Sequence, residues 1–449
     1  MVRAGGNRTE VASSTTIAAA PDVRVAKHTR RKIALRLLPF VFILYITNYL
    51  DRTSVAYAAI GMSRTLGFSD RVFGLGAGIF FLSYVALQIP GALMVERRSA
   101  RRCISVIMIV WGLLTVLTGL VHTPGQLYGA RLLLGAAEAG FFPGVIVYLS
   151  HWFIREDRAK AGSNFMAAIP LSFIVGSPLA GWILGHPWLG VDGWRWLFVL
   201  EGMPAVLLGG VAFFFLTDRP REAAWLAPEE RQWIEQTLED EKPVTKQKIT
   251  VWQALGYGPV WLLAGVAFLE YFVFYTVAFW LPTIFKRESG FSDVRVGLLG
   301  TLPYVAALIA MLINGWHSDK TGERRWHSAV PQFIAAIALL GLLTLPSSTP
   351  VLVTLFAMLC VIHAFLASFW AMPTELLSDS AAAAAVGLVN ALASVAGFAG
   401  PFAFGYLNSR TGSYSSGFAL MMLCAVASGL LVLRVPAARS RALAESSPS

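Results

Sequence analysis

Long apolar runs, separated by short polar stretches, repeat along almost the whole chain. They fall near residues 35–58, 73–95, 103–121, 126–150, 160–185, 196–216, 258–285, 296–316, 328–345, 351–373, 383–407 and 415–434. A helix needs about 20 predominantly apolar residues to cross the hydrocarbon core of a bilayer. Only segments that satisfy their own backbone hydrogen bonds can do so. The pattern therefore predicts an all-α polytopic membrane protein with twelve spans. An outer-membrane barrel would instead show short alternating strands.

The polar positions divide the twelve runs in two. One long polar stretch, about 217–250, separates six spans from six. Within it, Pro228-Glu229-Glu230 has proline and acids where a helix first turn favours them, so a surface helix is expected there. The resulting division is an N-terminal tail over 1–34, a six-helix bundle over 35–216, a linker over 217–250, a second bundle over 251–434 and a C-terminal tail over 435–449.

Charge adds an orientation. Of 449 residues only 14% are charged, and the formal net charge is +10. The basic residues gather in short loops after even-numbered spans: Arg97, Arg98, Arg101 and Arg102, then Arg155, Arg158 and Lys160, then Lys320, Arg324 and Arg325. This is the positive-inside signature of membrane topology rather than a nucleic-acid footprint, and it places both termini in the cytoplasm. Lys286, Arg287 and Arg295 depart from it. The polar first ~30 residues lack the apolar core of a cleavable signal peptide and read as a basic, disordered tail. Cys103, Cys360 and Cys424 lie in separate apolar runs, with neither metal-ligand nor disulfide spacing, so no metal or other cofactor is expected.

The two halves repeat each other. Gly67-Phe68-Ser69-Asp70 recurs as Gly290-Phe291-Ser292-Asp293, an offset of 223 (290 − 67). Gly91 matches Gly315, and Gly176 and Gly181 match Gly400 and Gly405, at an offset of 224 (315 − 91). Six spans lie between copies, so both have the same sense across the membrane. Such a parallel repeat about the membrane normal is the architecture of two-halved transporters.

Against this apolar background the embedded charges stand out. Asn48-Tyr49-Leu50-Asp51-Arg52 places an acid and a base inside the first run, and the fourth run holds Arg131 and Glu138. Each such charge at mid-membrane costs roughly 2.5–3.5 kcal/mol on insertion scales, which is tolerable only in a bundle interior or aqueous cavity. Snorkelling or a purely structural ion pair is the alternative. Arg131 and Glu138 are seven residues apart and share a helix face. Counted at ~1.5 Å per residue, Asp51 is ~24 Å from the start of its span and Arg131 ~8 Å from the opposite face, so the two are level and an Asp51–Arg131 pair is expected. Glu138 lies ~10 Å deeper along its helix than Arg131, near the midplane. An acid whose proton affinity depends on a movable arginine suits proton coupling, which assigns Asp51, Glu138 and Arg131 to that role. Neighbouring helical residues point ~100° apart, so Arg52 serves a different partner from Asp51. Its guanidinium suits bidentate recognition of a substrate carboxylate. Tyr49, Tyr84 and Asn390 are candidates to bond the same ligand, and Trp370 to lie against it. Ordinary packing competes for Tyr84 and Trp370, and interhelical bonding for Asn390.

With these features in view the chain resembles the major facilitator superfamily. Gly315 through Arg325 resembles the superfamily's loop motif. In the first-half copy Glu96-Arg97 stands for the acid–base pair, while Ser99 and Ala100 replace the usual small turn. Asn48 to Arg52, Gln88-Ile89-Pro90-Gly91, Gly193 to Gly202, Phe279-Trp280-Leu281-Pro282 and Gly387-Leu388-Val389-Asn390 together resemble the anion:cation symporter family over about residues 35–435. The resemblance implies proton symport of organic carboxylates such as sugar acids, tartrate-like diacids or aromatic acids. It favours substrate roles for Tyr49, Arg52, Tyr84 and Asn390 and proton roles for Asp51 and Glu138. It also implies a gating loop built on Glu96, Arg97, Asp319, Arg324 and Arg325, in a bacterial-type inner membrane. One departure is Ala168-Ile169-Pro170-Leu171, where relatives acting on sugar acids often carry an amide; it implies a less polar ligand face or another subfamily.

Glu270 in the seventh run matches no motif of that family; a second proton site and a helix-pairing acid both stay open. His363 reads as a packing histidine. Gly74-Leu75-Gly76-Ala77-Gly78 lies in a spanning run without a preceding strand, so it reads as a close-packing stripe and not a phosphate loop. No nucleophile, metal or nucleotide signature points to an enzyme. The leading expectation is a symporter working as a monomer. Its alternatives are an exchanger, an effluxer of amphipathic compounds, and an anion sensor that does not transport.

Overall fold

The computed structural model describes residues 23–241, 256, 258–346, 348–376 and 379–436. The ends of both tails and part of the linker lie outside this range. Among the described residues twelve helices are long and apolar enough to cross a membrane. They are Arg24–Leu66, Asp70–Arg97, Ala100–Thr118, Pro124–Ser150, Arg155–Gly185 and Gly193–Phe215, then Gly258–Ser289, Asp293–Thr321, Arg325–Thr344, Thr349–Phe369, Ala385–Thr411 and Ser415–Leu433. We number them as spans one to twelve. The expected surface helix is Pro228–Asp240, with Pro228 in its first turn.

The repeated Gly-Phe-Ser-Asp segments are turn chemistry. Gly67 and Gly290 close spans one and seven at φ +66° and +65°, a region where L side chains are strained. Two residues later Ser69 and Ser292 cap the next helices by accepting from the Val72 and Arg295 amides. Span four starts on a capping box between Thr123 and Gln126, with Pro124 following.

Span one begins well before its apolar run. The helix includes the basic segment expected to be a tail, because acids elsewhere meet it. Arg30 pairs with Asp157 at 2.7 Å and Glu156 at 2.9 Å, and Lys32 with Glu230 of the surface helix at 2.7 Å. Three spans are interrupted. Span four breaks between Glu138 and Phe141, and span five between Met166 and Ala168. Span ten passes through a 3-10 turn over Val361–Ala364.

The packing follows the repeat. Spans three and six pack inside the first half, as spans nine and twelve do inside the second. Across the halves, span two packs on span eleven and span five on span eight, while spans one and seven meet centrally. On the face opposite the described chain ends, two glycine seams close the halves. A Cβ on Gly74 would lie 2.6 Å from the Pro401 carbonyl oxygen, and one on Gly405 would lie 2.5 Å from that of Asp70. A Cβ on Gly181 would meet the Gly297 Cα at 2.8 Å, and one on Gly297 the Ser177 carbonyl oxygen at 2.4 Å. Gly74 and Gly297 are repeat mates at 223 (297 − 74), as are Gly181 and Gly405 at 224 (405 − 181). The seams are therefore two copies of one contact. The repeated aspartates beside them differ. Asp70 pairs across the halves with Arg287 through two bonds of 2.6 and 2.7 Å and accepts from Asn408. Asp293 pairs with Lys286 of its own half at 2.6 Å.

Candidate functional site

The charged residues singled out in spans one and four come together in the interior. Arg131 and Glu138 are fully buried, Asp51 is 1% exposed and Arg52 5%. They do not pair as expected. Arg52 donates to Glu138, closing a buried ion pair between spans one and four. Arg131 donates from Nε to the Gly76 carbonyl of span two at 3.3 Å and lies over the Phe80 ring at 4.8 Å. The expected Asp51–Arg131 ion pair is therefore absent among the described residues. Asp51 and Arg131 lie within electrostatic reach of each other, but only Arg131 Nε is partnered, on the span-two backbone; its two Nη atoms and both Asp51 carboxylate oxygens lack a hydrogen-bond partner.

The turn of ~100° between neighbours separates Asp51 from Arg52. Asp51 faces the inside of the first half, among Thr115, Arg131, Glu138 and Glu201. Arg52 faces the other half. Its guanidinium lies 5.1 Å from the Tyr49 ring, 5.0 Å from Tyr84 and 5.3 Å from Phe80, and it is in electrostatic reach of Tyr275 on span seven. Aromatic faces stabilise a desolvated guanidinium and exclude water from it. From there rings continue into the second half: Phe81 is 4.5 Å from Tyr275, Tyr275 5.8 Å from Tyr271, and Trp370 donates to the Tyr271 hydroxyl at 3.2 Å. Tyr49, Arg52, Tyr84 and Trp370 thus belong to one continuous wall across both halves.

Asn390 is half-buried on span eleven, and no hydrogen bond among the described residues joins it to that wall. The loop residues also divide. Arg324 binds Asp319 at 2.6 Å and reaches Glu375 at 2.9 Å, while Arg325 points to the Leu433 and Val435 carbonyls at 3.5 Å. Glu96 and Arg97 are exposed and form no ion pair with each other among the described residues. Asp218, from the segment after span six, meets this loop, accepting from Ser99 at 2.6 Å and from the Arg101 amide at 2.8 Å.

Several participants were not singled out from the sequence. Glu201, 4% exposed on span six, lies within reach of Asp51 and keeps one carboxylate oxygen unpartnered. An acid in the middle of an apolar run was its signal. Both polar atoms of the Asn48 side chain are buried without partners. Tyr275 and Tyr271 had no signal apart from abundance, since aromatic residues crowd span seven. Glu270 is fully buried with both oxygens unpartnered, and no ion pair among the described residues reaches it. His363 sits beside Phe274 at 4.5 Å with Nδ1 2.7 Å from the Cys360 carbonyl, as expected of a packing histidine, but its Nε2 is buried without a partner.

The site thus combines a buried guanidinium with donors to spare, an acid that holds it, further acids behind, and an aromatic wall shared by two repeated halves. Residues 41–401 and 263–448 match the Major Facilitator Superfamily. The chain belongs to that superfamily. Two relatives of this major facilitator are a protein of Agrobacterium vitis named "Putative tartrate transporter", 40% identical over 90% of this chain and 93% of its own, and a protein of Pseudomonas putida named "Putative metabolite transport protein NicT", 37% identical over 95% and 98%. Among solved structures, a bacterial homologue of the lysosomal transporter Spinster superposes with a TM-score of 0.71, covering 94% of this chain and 100% of its own at 20% identity. The major facilitator described here is accordingly an integral membrane transporter and not an enzyme.

Proposed function

We propose that the transporter carries a small organic anion, a hydroxy-diacid of the tartrate class or a similar carboxylate, together with protons. The observation that carries this reading is the buried Arg52–Glu138 pair beside two further buried acids. Three carboxyls, Asp51, Glu138 and Glu201, share this interior with two guanidiniums, Arg52 and Arg131. Ionising all five would leave an uncompensated negative charge out of water, at a cost of several kcal/mol. The cluster therefore retains a proton. An incoming carboxylate competes with Glu138 for the Arg52 guanidinium, which suits bidentate carboxylate binding. Once released, the Glu138 carboxylate has lost its counter-charge and takes up a proton. Anion and proton load together, and the halves rock about the loaded site by alternating access. Tyr49 and Tyr84 frame the carboxylate end, and Trp370 with Tyr271 frames the far end. The A. vitis relative's name supports the substrate class.

The basic loops orient the chain with its termini in the cytoplasm of a bacterial-type inner membrane. The glycine-sealed face is then external, and one chain holds a whole site, so a monomer suffices. In proteoliposomes an inside-alkaline gradient drives tartrate above equilibrium, and a protonophore abolishes the gain. Glu138→Gln retains exchange and loses accumulation. Uptake indifferent to the gradient would refute symport.

A further inference from the structure

We propose that an anionic phospholipid binds a groove on the lipid-facing side of spans one and six, with its phosphate on Arg36. The groove has a volume of about 590 Å³ and lies at the end of the bundle where span one begins. Its wall along span one is Leu35, Pro39, Phe40 and Ile43. Leu35 is 64% and Ile43 48% exposed, so this wall faces acyl chains once the helix is in a bilayer.

At its head the groove is basic. Lys32 is already committed to Glu230 at 2.7 Å, which leaves the charge of Arg36. The Arg36 guanidinium is held between two rings, 4.6 Å from Phe215 and 4.9 Å from Trp225. Among the described residues it has no carboxylate and no hydrogen-bond acceptor. Its Nε is buried without a partner, and so is Nε1 of Trp225. Arg36 and Trp225 thus both line the cleft, each with one buried donor that lacks an acceptor. Arg36 is one helical turn, ~6 Å, deeper than Lys32, which sets it at the headgroup boundary with the apolar wall below. A cation held there, short of an acceptor and open toward lipid, matches a phosphodiester with its acyl chain laid along Leu35 and Ile43. A soluble anion would use the charge and leave the wall empty.

The test is native mass spectrometry of the full chain, delipidated in detergent and given phosphatidylglycerol and phosphatidylethanolamine in equal amounts. Wild type retains one phosphatidylglycerol with about a fivefold preference, the effect of one basic residue near an anionic headgroup. Arg36→Gln loses the preference, Arg36→Lys keeps part of it, and Arg98→Gln, an exposed basic residue elsewhere, leaves it intact. Leu35→Trp, which fills the groove and keeps Arg36, also lowers retention and so guards against a folding defect in Arg36→Gln. Equal retention of both lipids by wild type, or an equal loss in Arg98→Gln, would overturn the proposal. Displacement of the lipid by inorganic phosphate alone would give the site to a soluble anion instead.

Discussion

The proposed mechanism turns on the contact between Arg52 and Glu138, and neither residue alone predicts that contact. The sequence showed that an acid and a base in span one need different partners, because a helix turns their side chains apart. It did not show which. Depth arithmetic paired Asp51 with Arg131 because it measures height and not azimuth. In the structure Arg131 donates to the Gly76 carbonyl, and Glu138 takes Arg52. Glu201 was equally legible as an intramembrane acid but was read only as part of a motif. Removing one partner of a buried pair strands the other, at about 3–5 kcal/mol. Arg52→Ala should therefore melt at lower temperature than wild type, and Arg52→Ala with Glu138→Gln should regain part of the loss. Thermal scans in detergent without substrate decide this. Additive losses would mean that the two side chains do not hold each other.

At the scale of elements, the spans were readable because apolar length is enforced by the bilayer. Their interruptions were not. The break at Val361–Ala364 carries neither proline nor glycine, and that at Glu138–Phe141 holds only Gly140, one of several glycines in its span, so the sequence did not single them out. The glycine seams were legible only as a repeat, since spacing does not say which glycine meets which. With backbone atoms 2.4–2.8 Å from a Cβ at Gly181 or Gly297, no side-chain movement makes room. Gly297→Val should hold the sealed face apart and raise labelling of a cysteine placed at Ser177 in an otherwise cysteine-free chain. Unchanged labelling would show that the seam is not needed for closure. The surface helix docks through Glu230. Burial alone would raise its carboxyl pKa, but Lys32 and the Ala227 amide outweigh that and hold it below the usual value. A carboxyl whose folded-state pKa is lowered stabilises docking above its unfolded value and loses that contribution as pH falls through the lowered one. Linker proteolysis should accordingly rise on acidification in wild type, and Glu230→Gln should be cut readily even at neutral pH.

For the whole molecule, two like halves with unlike residues give a transporter a closed face held unequally. The glycine contacts obey the repeat, whereas only Asp70, and not Asp293, spans the halves. The division into halves was plain from a verbatim four-residue repeat, but which copy carries the cross-half ion pair was not, because that depends on Arg287 and Asn408 lying opposite. The account as a whole rests on exchange of the Arg52 guanidinium between Glu138 and a substrate carboxylate. Proton binding on addition of tartrate to the purified transporter, followed with a pH indicator in weakly buffered detergent solution, tests it most directly. The account predicts alkalinisation in wild type, because Glu138 takes up a proton as the anion displaces it, and none in Glu138→Gln. Saturable tartrate binding without proton uptake in wild type, or the same uptake in Glu138→Gln, would contradict it.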